Sequence, residues 1–295
     1  DISRNIHNIN PNIIFANLWP LTFVTFVSLI LSPRFIKRLV IVEHIDLRVA
    51  LNSRSYLERK CEYIFHFLAP IFVKYIVGVS PGVLTSLKKS SFIYSHKYKL
   101  IPNPIYYLSD YSIPKIVKNF NAIPSPLRIL AVGNLKPQKD YFTMLNVIRY
   151  LISNNYEVRL TIAGDGSLRP QIEKLIRDYQ LQSYVSLLGS VNDIKSLFND
   201  NDIYLMTSAW EGFGNSLAES LVAGCRCVST NCPSGPSYIL GDGRYGTLAE
   251  VADVKSISEA ILREVLIQRF PNEFKESVAS FSVERIASLY EELVW

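Results

Sequence analysis

Cysteine is scarce in this sequence, and the four residues that occur fit neither a disulfide framework nor a zinc site. Cys61 stands alone, whereas Cys225, Cys227 and Cys232 form a short cluster. A secreted domain held by disulfides would need more cysteines in a chain of 295 residues. A zinc site would need a second pair of cysteines or histidines beside the cluster. We therefore interpret all four as reduced thiols of a cytosolic protein, and the three clustered cysteines as small apolar core residues.

The sequence also gives little support to several other enzyme classes. The strand, Gly-Asp-Gly turn and helix predicted at 163–175 fit neither GxGxxG nor GxxxxGK[ST], so a Rossmann dinucleotide site or a nucleoside-triphosphate loop is unsupported there. Its four histidines support no Ser-His-Asp arrangement. The "DND" at 200–202 imitates a D-x-D metal motif, but it precedes a predicted strand. Ligands bind where the strands of a parallel sheet end, so we expect turn chemistry there and no metal.

One long apolar run, at 13–31, raises the question of a membrane span. Asn17 and Pro20 divide the run, and we predict a short buried strand before Asn17 and a buried helix that ends at Ser32. A transmembrane helix remains the rival interpretation, while contact with one membrane leaflet through a basic, apolar surface is favoured. The chain shows no leader of basic and then apolar residues, so we expect no signal peptide.

The composition is that of a globular protein with two unlike halves. Apolar residues make up 48% and charged residues 19%, which favours a buried sheet over disorder. Residues 1–120 carry 15 Lys and Arg against 6 Asp and Glu (+9), and residues 121–295 carry 16 against 20 (−4), which sum to the overall +5. This asymmetry indicates two domains with different partners. The basic half could face anionic lipid or a phosphorylated substrate, or form a solvated surface.

Short apolar runs alternate with helical segments throughout the second half. The predicted strands are 128–133, 158–164, 185–189, 203–208 and 226–230. The helices between and after them are predicted near 144–152, 168–180, 192–199, 216–223, 255–268 and 282–294. This alternation predicts a doubly wound parallel sheet, in which ligands bind at the carboxyl ends of the strands. Glycine-rich turns fall at those ends: Gly133, Gly164, Gly189 and the pair Gly212 and Gly214.

The first half repeats the same pattern more weakly. The predicted strands are 12–16, 38–44 and 74–80, with a final short strand and turn at 100–105. The segment 106–127 holds three prolines and little periodicity, which is typical of a linker. We therefore predict an α/β protein of two domains, 1–120 and 121–295. The last helix is expected to pack back on the first domain.

The stretch EGFGNSLAES, at 211–220, has a complete structural interpretation. Asn215 or Ser216 can cap a helix, and Ser216 with Glu219 matches a capping box. Gly224 then supplies the end of the helix. On this interpretation Glu219 serves only the local fold.

The same stretch also has the features of a ligand site. Gly212 and Gly214 allow the backbone to approach a ligand closely, and N–H groups at a helix start attract phosphate. Carboxylates such as Glu211 and Glu219 would repel a phosphate, so they are expected to face hydroxyl groups instead. The stretch therefore indicates a ligand that carries both phosphate and sugar hydroxyls.

Two further segments place candidate side chains at strand ends. "VGNLKPQKDY" follows the first strand of the second half, and Lys136 or Lys139 could neutralise a diphosphate. A solvated basic turn is the alternative for either lysine. His44 ends a strand of the basic half, where a structural role and a site role both remain open.

Together these segments resemble the glycosyltransferase 4 family of GT-B enzymes, whose mark is a Glu-x7-Glu motif. The resemblance is carried by "VGNLKPQK", "IAGDGSLRPQIEKLI", "VSLLGSVNDI", "LMTSAWEGFGNSLAESLVAGCRCVSTNCPSGPSYIL" and "GDGRYGTL". The first half contributes "NPNIIFANLW", "IVEH", "VGVSPGV" and "IPNPI". The fold that the resemblance implies is GT-B, with two Rossmann-like domains of which the first is incomplete.

The resemblance also implies a role for each matching residue. Glu219 would bind the ribose hydroxyls, Glu211 the transferred sugar, and Lys139 the leaving phosphate. His44 matches a histidine on the donor-sugar side, and it joins Glu211 and Lys139 as the implied catalytic set. The implied donor-binding residues are Gly133, Asn134, Gly164, Val191, Gly212, Phe213, Gly214, Asn215, Ser216 and Glu219.

Two departures from the family pattern bear on activity. The family often has Arg where this chain has Asn134, which removes one phosphate contact. The strand and Gly-rich loop that open the family's first domain have no counterpart here. We expect roughly 70–100 residues to precede Asp1 in a complete protein, from the usual size of such domains. The activity of the chain without them is left open.

The resemblance implies a retaining hexosyltransferase that uses a nucleotide-sugar donor, with a UDP-sugar favoured, and needs no metal cofactor. The implied acceptor is a growing polysaccharide or a lipid-diphosphate-linked oligosaccharide, as in lipopolysaccharide or capsule biosynthesis. The expected location is the cytoplasm, peripheral at an anionic membrane surface, and no nucleic-acid partner is expected. The alternatives are a nucleotide-sugar epimerase of the same fold and a non-catalytic protein that binds nucleotide sugars.

Overall fold

The chain folds into two compact α/β units. The computed structural model describes residues 2–52, 55–90, 94–105, 118–270 and 279–294. One unit comprises Asp1–Pro104 with Glu284–Trp295, and the other comprises Ile105–Val283. The predicted α/β class is confirmed, since each unit contains one sheet whose paired strands are all parallel. Of the predicted linker, residues 106–117 lie outside the described part of the chain.

The first unit has a sheet of four strands that follow one another in chain order. They are β1 (Ile14–Asn17), β2 (Leu39–Glu43), β3 (Tyr75–Gly78) and β4 (Tyr98–Leu100). The helices are α1 (Ile2–Ile9), α2 (Leu21–Leu29), α3 (Pro33–Ile36), α4 (Leu47–Asn52), α5 (Tyr56–Phe72) and α6 (Pro81–Lys88). Strand β2 is buried along its whole length, as its uninterrupted LVIVE run predicts for a central strand of a parallel sheet.

The apolar run at 13–31 forms a strand and a helix, as predicted, but the helix is only half buried. Thr22, Thr25, Phe26 and Leu29 are buried in α2. Leu21, Val24 and Val27 on its other side are exposed, because the sheet covers only one side of a helix that packs on it. Within the described residues, no helix is long and apolar enough to cross a membrane.

The second unit has a six-stranded sheet with the order β10-β9-β8-β5-β6-β7. The strands are β5 (Leu127–Val132), β6 (Val158–Ala163), β7 (Val185–Gly189), β8 (Ile203–Met206), β9 (Arg226–Thr230) and β10 (Thr247–Ala249). The chain starts at β5, builds outward to β7, then returns to β8 on the other side of β5. The switch point of this doubly wound sheet therefore lies between β5 and β8, the place where such sheets bind ligands.

Helices cover the second sheet and join its strands. They are α7 (Tyr141–Ser153), α8 (Arg169–Asp178), α9 (Ile194–Asp200), α10 (Asn215–Val222), α11 (Pro236–Ile239) and α12 (Val254–Leu266). The last helix, α13 (Val283–Glu291), belongs to the first unit from Glu284 onward. The core beneath α7 and α12 consists of aliphatic side chains such as Leu145, Ile148 and Ile261.

The "DND" segment has a structural role at the opposite end of this sheet from the switch-point loops. Asp202 is buried and accepts hydrogen bonds from the backbone N–H, Nε and Nη2 of Arg128. Its carboxylate therefore joins the starts of β5 and β8, as the turn interpretation requires. No group of side chains among the described residues has the make-up of a metal site.

Candidate active site

The loops that follow β5 and β8 come together at the switch point. Backbone and side-chain contacts join them: Ala209 N–H donates to the Gln138 carbonyl at 2.8 Å. The Thr207 hydroxyl lies 2.9 Å from the carbonyl oxygen of Lys139 and 3.1 Å from that of Asp140. These contacts fix the short 3-10 turn Pro137–Lys139 against the end of β8.

Lys139 and Glu211 form an ion pair between these two loops. The Lys139 Nζ atom lies 2.7 Å from Glu211 Oε1, and the side chains are 17% and 7% exposed. Ser208 Oγ donates to the same oxygen at 2.7 Å, and Gln138 Nε2 lies 3.2 Å from Oε2. The buried carboxylate is therefore neutralised by a cation and oriented by two neutral donors, which is what a buried charge needs.

The turn that carries Lys139 depends on an unusual backbone conformation. Asp140 has φ of 46°, in the left-handed region, and its side chain accepts from Thr143 N–H to cap α7. The left-handed residue ends the 3-10 turn that carries Lys139 and begins α7 directly after it. Short polar residues tolerate this conformation better than others do.

Glycines let the loops after β5 and β6 pack backbone against backbone. Gly164 has φ of +144°, and a Cβ atom there would lie 2.0 Å from the Gly133 carbonyl oxygen. The Tyr141 hydroxyl donates to that same carbonyl at 2.9 Å, and burial raises the pKa of Tyr141. The structure thus brings Gly133 and Gly164 together, and the close neighbour that requires glycine is the protein's own backbone.

The start of α10 differs from the predicted capping box. Gly214 is the N-cap, with φ of 102° in the left-handed region, and no side chain of the described chain caps the helix. Ser216 instead accepts a hydrogen bond from the hydroxyl of the buried Tyr204 at 2.7 Å. The predicted roles of Asn215 or Ser216 as cap and of Glu219 as capping partner are therefore wrong. The left-handed glycine turns the chain into the helix without a cap.

Glu219 lies one turn into α10 and is half-buried. Burial raises its pKa, and the positive charge of Lys139 partly opposes this rise. The lysine is thus electrostatically coupled to both glutamates of the Glu-x7-Glu stretch. Phe213, by contrast, packs its ring edge-on against Phe281 at 5.4 Å, so its side chain serves the core.

Comparison with known proteins identifies a family for this arrangement. The family model described as "Glycosyl transferases group 1" matches residues 112–280, which is more than half of the chain. The chain belongs to this family. The match contains Lys139, Glu211 and Glu219, so the whole cluster described above lies inside the family's domain.

Two curated relatives are similar to part of this chain. N-acetylgalactosamine-N,N'-diacetylbacillosaminyl-diphospho-undecaprenol 4-alpha-N-acetylgalactosaminyltransferase of Campylobacter jejuni is 29% identical over 54% of this chain and 44% of that protein. UDP-Gal:alpha-D-GlcNAc-diphosphoundecaprenol alpha-1,3-galactosyltransferase of Escherichia coli is 30% identical over 45% of this chain and 35% of that protein. The matched region therefore spans less than half of the length of either relative.

Solved glycosyltransferase structures share the fold over nearly the whole chain. Alr3699/HepE of Anabaena, in complex with UDP and glucose, has a TM-score of 0.78 at 17% identity and covers 99% of this chain and 80% of its own. The lipopolysaccharide outer core galactosyltransferase WaaB has a TM-score of 0.75 at 18% identity and covers 99% and 77%. At these identities the likeness establishes the fold, and it confirms the predicted GT-B class.

The remaining predicted residues lie outside the Lys139–Glu211 cluster. Asn134 is exposed in the loop after β5, and Val191 is half-buried after β7. His44 belongs to the other unit, at the end of β2, where its Nε2 atom lies 3.4 Å from Asn17 Oδ1. Burial lowers the pKa of His44, so the imidazole is neutral at pH 7. Its catalytic role stays a prediction.

Sequence reasoning missed the residues that orient the cluster. Ser208 and Gln138 donate to Glu211, and Tyr204 holds Ser216. Each carries an ordinary polar group in or beside a strand, and no motif marks it. Their position in the sequence could have identified them, because Gln138 and Ser208 lie beside the ends of the two strands that flank the switch point.

Proposed function

We propose that this protein transfers a sugar from a nucleotide-sugar donor to a glycan acceptor. The observation that carries the proposal is the buried Lys139–Glu211 pair, set at the switch point of the sheet beside the start of α10. A cation and a helix start attract the diphosphate of the donor, and a carboxylate binds sugar hydroxyls. Few ligands other than a nucleotide sugar present both groups side by side.

The proposed division of roles follows from charge. The leaving nucleoside diphosphate gains negative charge as the glycosidic bond breaks, and Lys139 with the N-terminal end of α10 stabilises that charge. Glu211 accepts from hydroxyls of the transferred sugar, and Glu219 accepts from the ribose. Backbone groups between Gly212 and Ser216 complete the diphosphate site. In this proposal no metal cofactor is required.

The donor, the acceptor and the stereochemistry of the proposed reaction are inferred from the relatives. Both curated relatives are named as hexosaminyl or hexosyl transferases that act on undecaprenyl-diphosphate-linked sugars, and one is named with a UDP-sugar donor. We infer a UDP-sugar donor, a polysaccharide or lipid-linked oligosaccharide acceptor, and retention of anomeric configuration. His44 is proposed to face the donor sugar. An acceptor of this kind places the protein at the cytoplasmic side of a membrane as a peripheral protein.

A donor screen tests the proposal. The purified protein is incubated with UDP-, GDP- and ADP-sugars, with and without a polyprenyl-diphosphate sugar acceptor, and nucleoside diphosphate release is measured. We expect acceptor-dependent UDP release that falls about 100-fold or more in Lys139→Ala, from the usual effect of removing one stabilising group. Lys255→Ala, on an exposed helix face, is the matched control.

Three results would contradict the proposal. Conversion of the sugar without an acceptor would indicate an epimerase. Donor binding without turnover would indicate a non-catalytic protein that binds nucleotide sugars. Equal rates of nucleoside diphosphate release by Lys139→Ala and the parent protein would show that Lys139 and Glu211 do not belong to the active site.

A further inference from the structure

Helix α5 of the first unit presents an apolar stripe to solvent. Leu57, Ile64, Phe67 and Ile71 recur at helical spacing along one side, and all four are exposed. The opposite side is buried through residues such as Phe65. A surface helix of a globular protein normally carries polar residues on its outer side, so this pattern is the reverse of the usual one.

Helix α2 carries a second exposed apolar stripe. Leu21, Val24 and Val27 are exposed on the side away from the sheet, and Leu31 extends the stripe just beyond the helix. The helix therefore buries one apolar side and exposes another. Because both sides of α2 are apolar, its sequence predicts a fully buried helix.

The two stripes face the same direction. Phe26 of α2 packs against Phe65 and Phe72 of α5, with ring centroids 5.3 and 6.0 Å apart. Strands β1, β2 and β3 are parallel neighbours in chain order, and right-handed crossovers place both connecting helices on the same face of the sheet. Their outer sides form one surface, here named the α2–α5 surface: Leu21, Val24, Val27, Ile64, Phe67 and Ile71.

The first unit is basic where it meets solvent, and residues 2–104 carry the excess, since its last segment has exposed Glu284, Glu291 and Glu292 against exposed Arg285. Over the described residues from 2 to 104, Glu43, Asp46 and Glu62 are buried, and Glu58 is the one exposed acidic residue. Glu58 is engaged in the capping box of α5 with Ser55. The exposed basic residues of the same range are Arg4, Arg34, Lys37, Arg48, Arg59, Lys60, Lys89 and Lys99.

Basic residues stand at both helices of the α2–α5 surface. Arg59 and Lys60 belong to the first turns of α5, and Arg34 and Lys37 lie in and just after α3, which packs against α2. An apolar surface with a cationic rim matches the boundary of a bilayer, where acyl chains lie beneath anionic headgroups.

We propose that the α2–α5 surface binds a bilayer that contains anionic lipid. The inference deepens the proposed function and rests on it, because it names the membrane contact for a transferase with a lipid-linked acceptor. A second copy of this chain is a poorer occupant, since the two basic rims would meet and repel each other. The contact is made by residues outside the Lys139–Glu211 cluster, so membrane binding and donor binding can be measured separately.

Sedimentation with vesicles tests the proposal. The protein is mixed with vesicles of phosphatidylcholine alone or of phosphatidylcholine with phosphatidylglycerol, and the bound fraction is measured at low and high salt. We expect binding to the anionic vesicles that weakens as salt rises, because the headgroup contribution is electrostatic. Equal binding to both vesicle types, or binding to neither, would overturn the proposal.

Matched substitutions locate the contact. Phe67→Asp on the α2–α5 surface is compared with Phe142→Asp on α7, since both side chains are exposed, at 49% and 39%. Phe67→Asp should lower the partition coefficient at least tenfold, whereas Phe142→Asp should leave it unchanged. Val24→Asp on α2 serves as the second variant if Phe67→Asp fails to fold. Loss of binding in the α7 variant but in neither surface variant would overturn the assignment.

Charge substitutions and two further measurements complete the test. Arg59→Gln with Lys60→Gln should lower anionic-vesicle binding about fivefold for each charge removed. The pair Lys174→Gln with Lys255→Gln removes the same charge from the other unit and should have little effect. Phe67→Asp should bind UDP with the same affinity as the parent protein. If neither protein binds UDP, the result counts against the proposed function and not against the membrane contact. A concentration-dependent dimer that Phe67→Asp abolishes would instead assign the surface to a second copy.

Discussion

Removing the lysine of the buried ion pair should destabilise the second unit by a predictable amount. Lys139→Met keeps most of the side-chain volume but leaves the Glu211 carboxylate without its cation. Loss of one partner of a fully buried pair costs about 3–5 kcal/mol. Here Lys139 keeps 17% of its side chain exposed, and Ser208 and Gln138 still donate to the carboxylate. We therefore expect a loss of about 2–3 kcal/mol in the free energy of unfolding.

Urea denaturation of the variant and two comparison proteins checks this value. Glu211→Gln added to Lys139→Met removes the unpaired charge and should recover most of the loss. Lys255→Met breaks the exposed Lys255–Glu259 pair, whose side chains are 73% and 62% exposed, and should cost less than about 0.5 kcal/mol. A double variant as unstable as Lys139→Met would refute the reasoning, because the loss would then not come from an unpaired charge.

Three further outcomes follow from the site. Tyr204→Phe removes the donor to Ser216 and should cost about 1 kcal/mol in urea denaturation; no measurable cost would show that this hydrogen bond does not hold the start of α10. Gly164→Ala places a Cβ atom 2.0 Å from the Gly133 carbonyl oxygen and should lower the melting temperature by several degrees, which an unchanged melting curve would contradict. Burial raises the pKa of Glu219, so its carboxylate destabilises the fold at pH 7, and Glu219→Gln should increase stability there. That gain should vanish as the pH falls below the pKa of an unfolded glutamate, and a gain that persists in acid would contradict the reasoning.

The sheet of the second unit was largely predictable because its strands are continuous apolar runs between glycine turns. Strand β10 was missed, since the three residues Thr247–Ala249 are too short to show a pattern. The capping box was wrong because the S-x-x-E spacing carries no information on the left-handed Gly214 before it. The hydroxyl of Ser216 instead accepts a hydrogen bond from the Tyr204 hydroxyl, a tertiary contact that sequence spacing cannot reveal.

The residues of the candidate site were predictable from motifs, but the contacts between their side chains were not. Glu211 and Lys139 were found because each follows a strand whose end faces the switch point. Their direct ion pair forms where Thr207 and Ala209 hold the turn Pro137–Lys139 against the end of β8, and these are tertiary contacts that sequence spacing does not reveal. The exposed side of α2 was also not predictable, because an apolar run is read as buried until its neighbours are known.

Calorimetric titration with UDP measures whether Lys139 contacts the diphosphate of the donor. We expect the parent protein to bind UDP and Lys139→Met to bind at least about tenfold more weakly, since one charge-assisted contact to the diphosphate is lost. Uridine, which lacks the diphosphate, should show no such difference between the two proteins. Equal UDP affinity for the parent and Lys139→Met, both folded, would contradict the placement of the diphosphate between Lys139 and the start of α10.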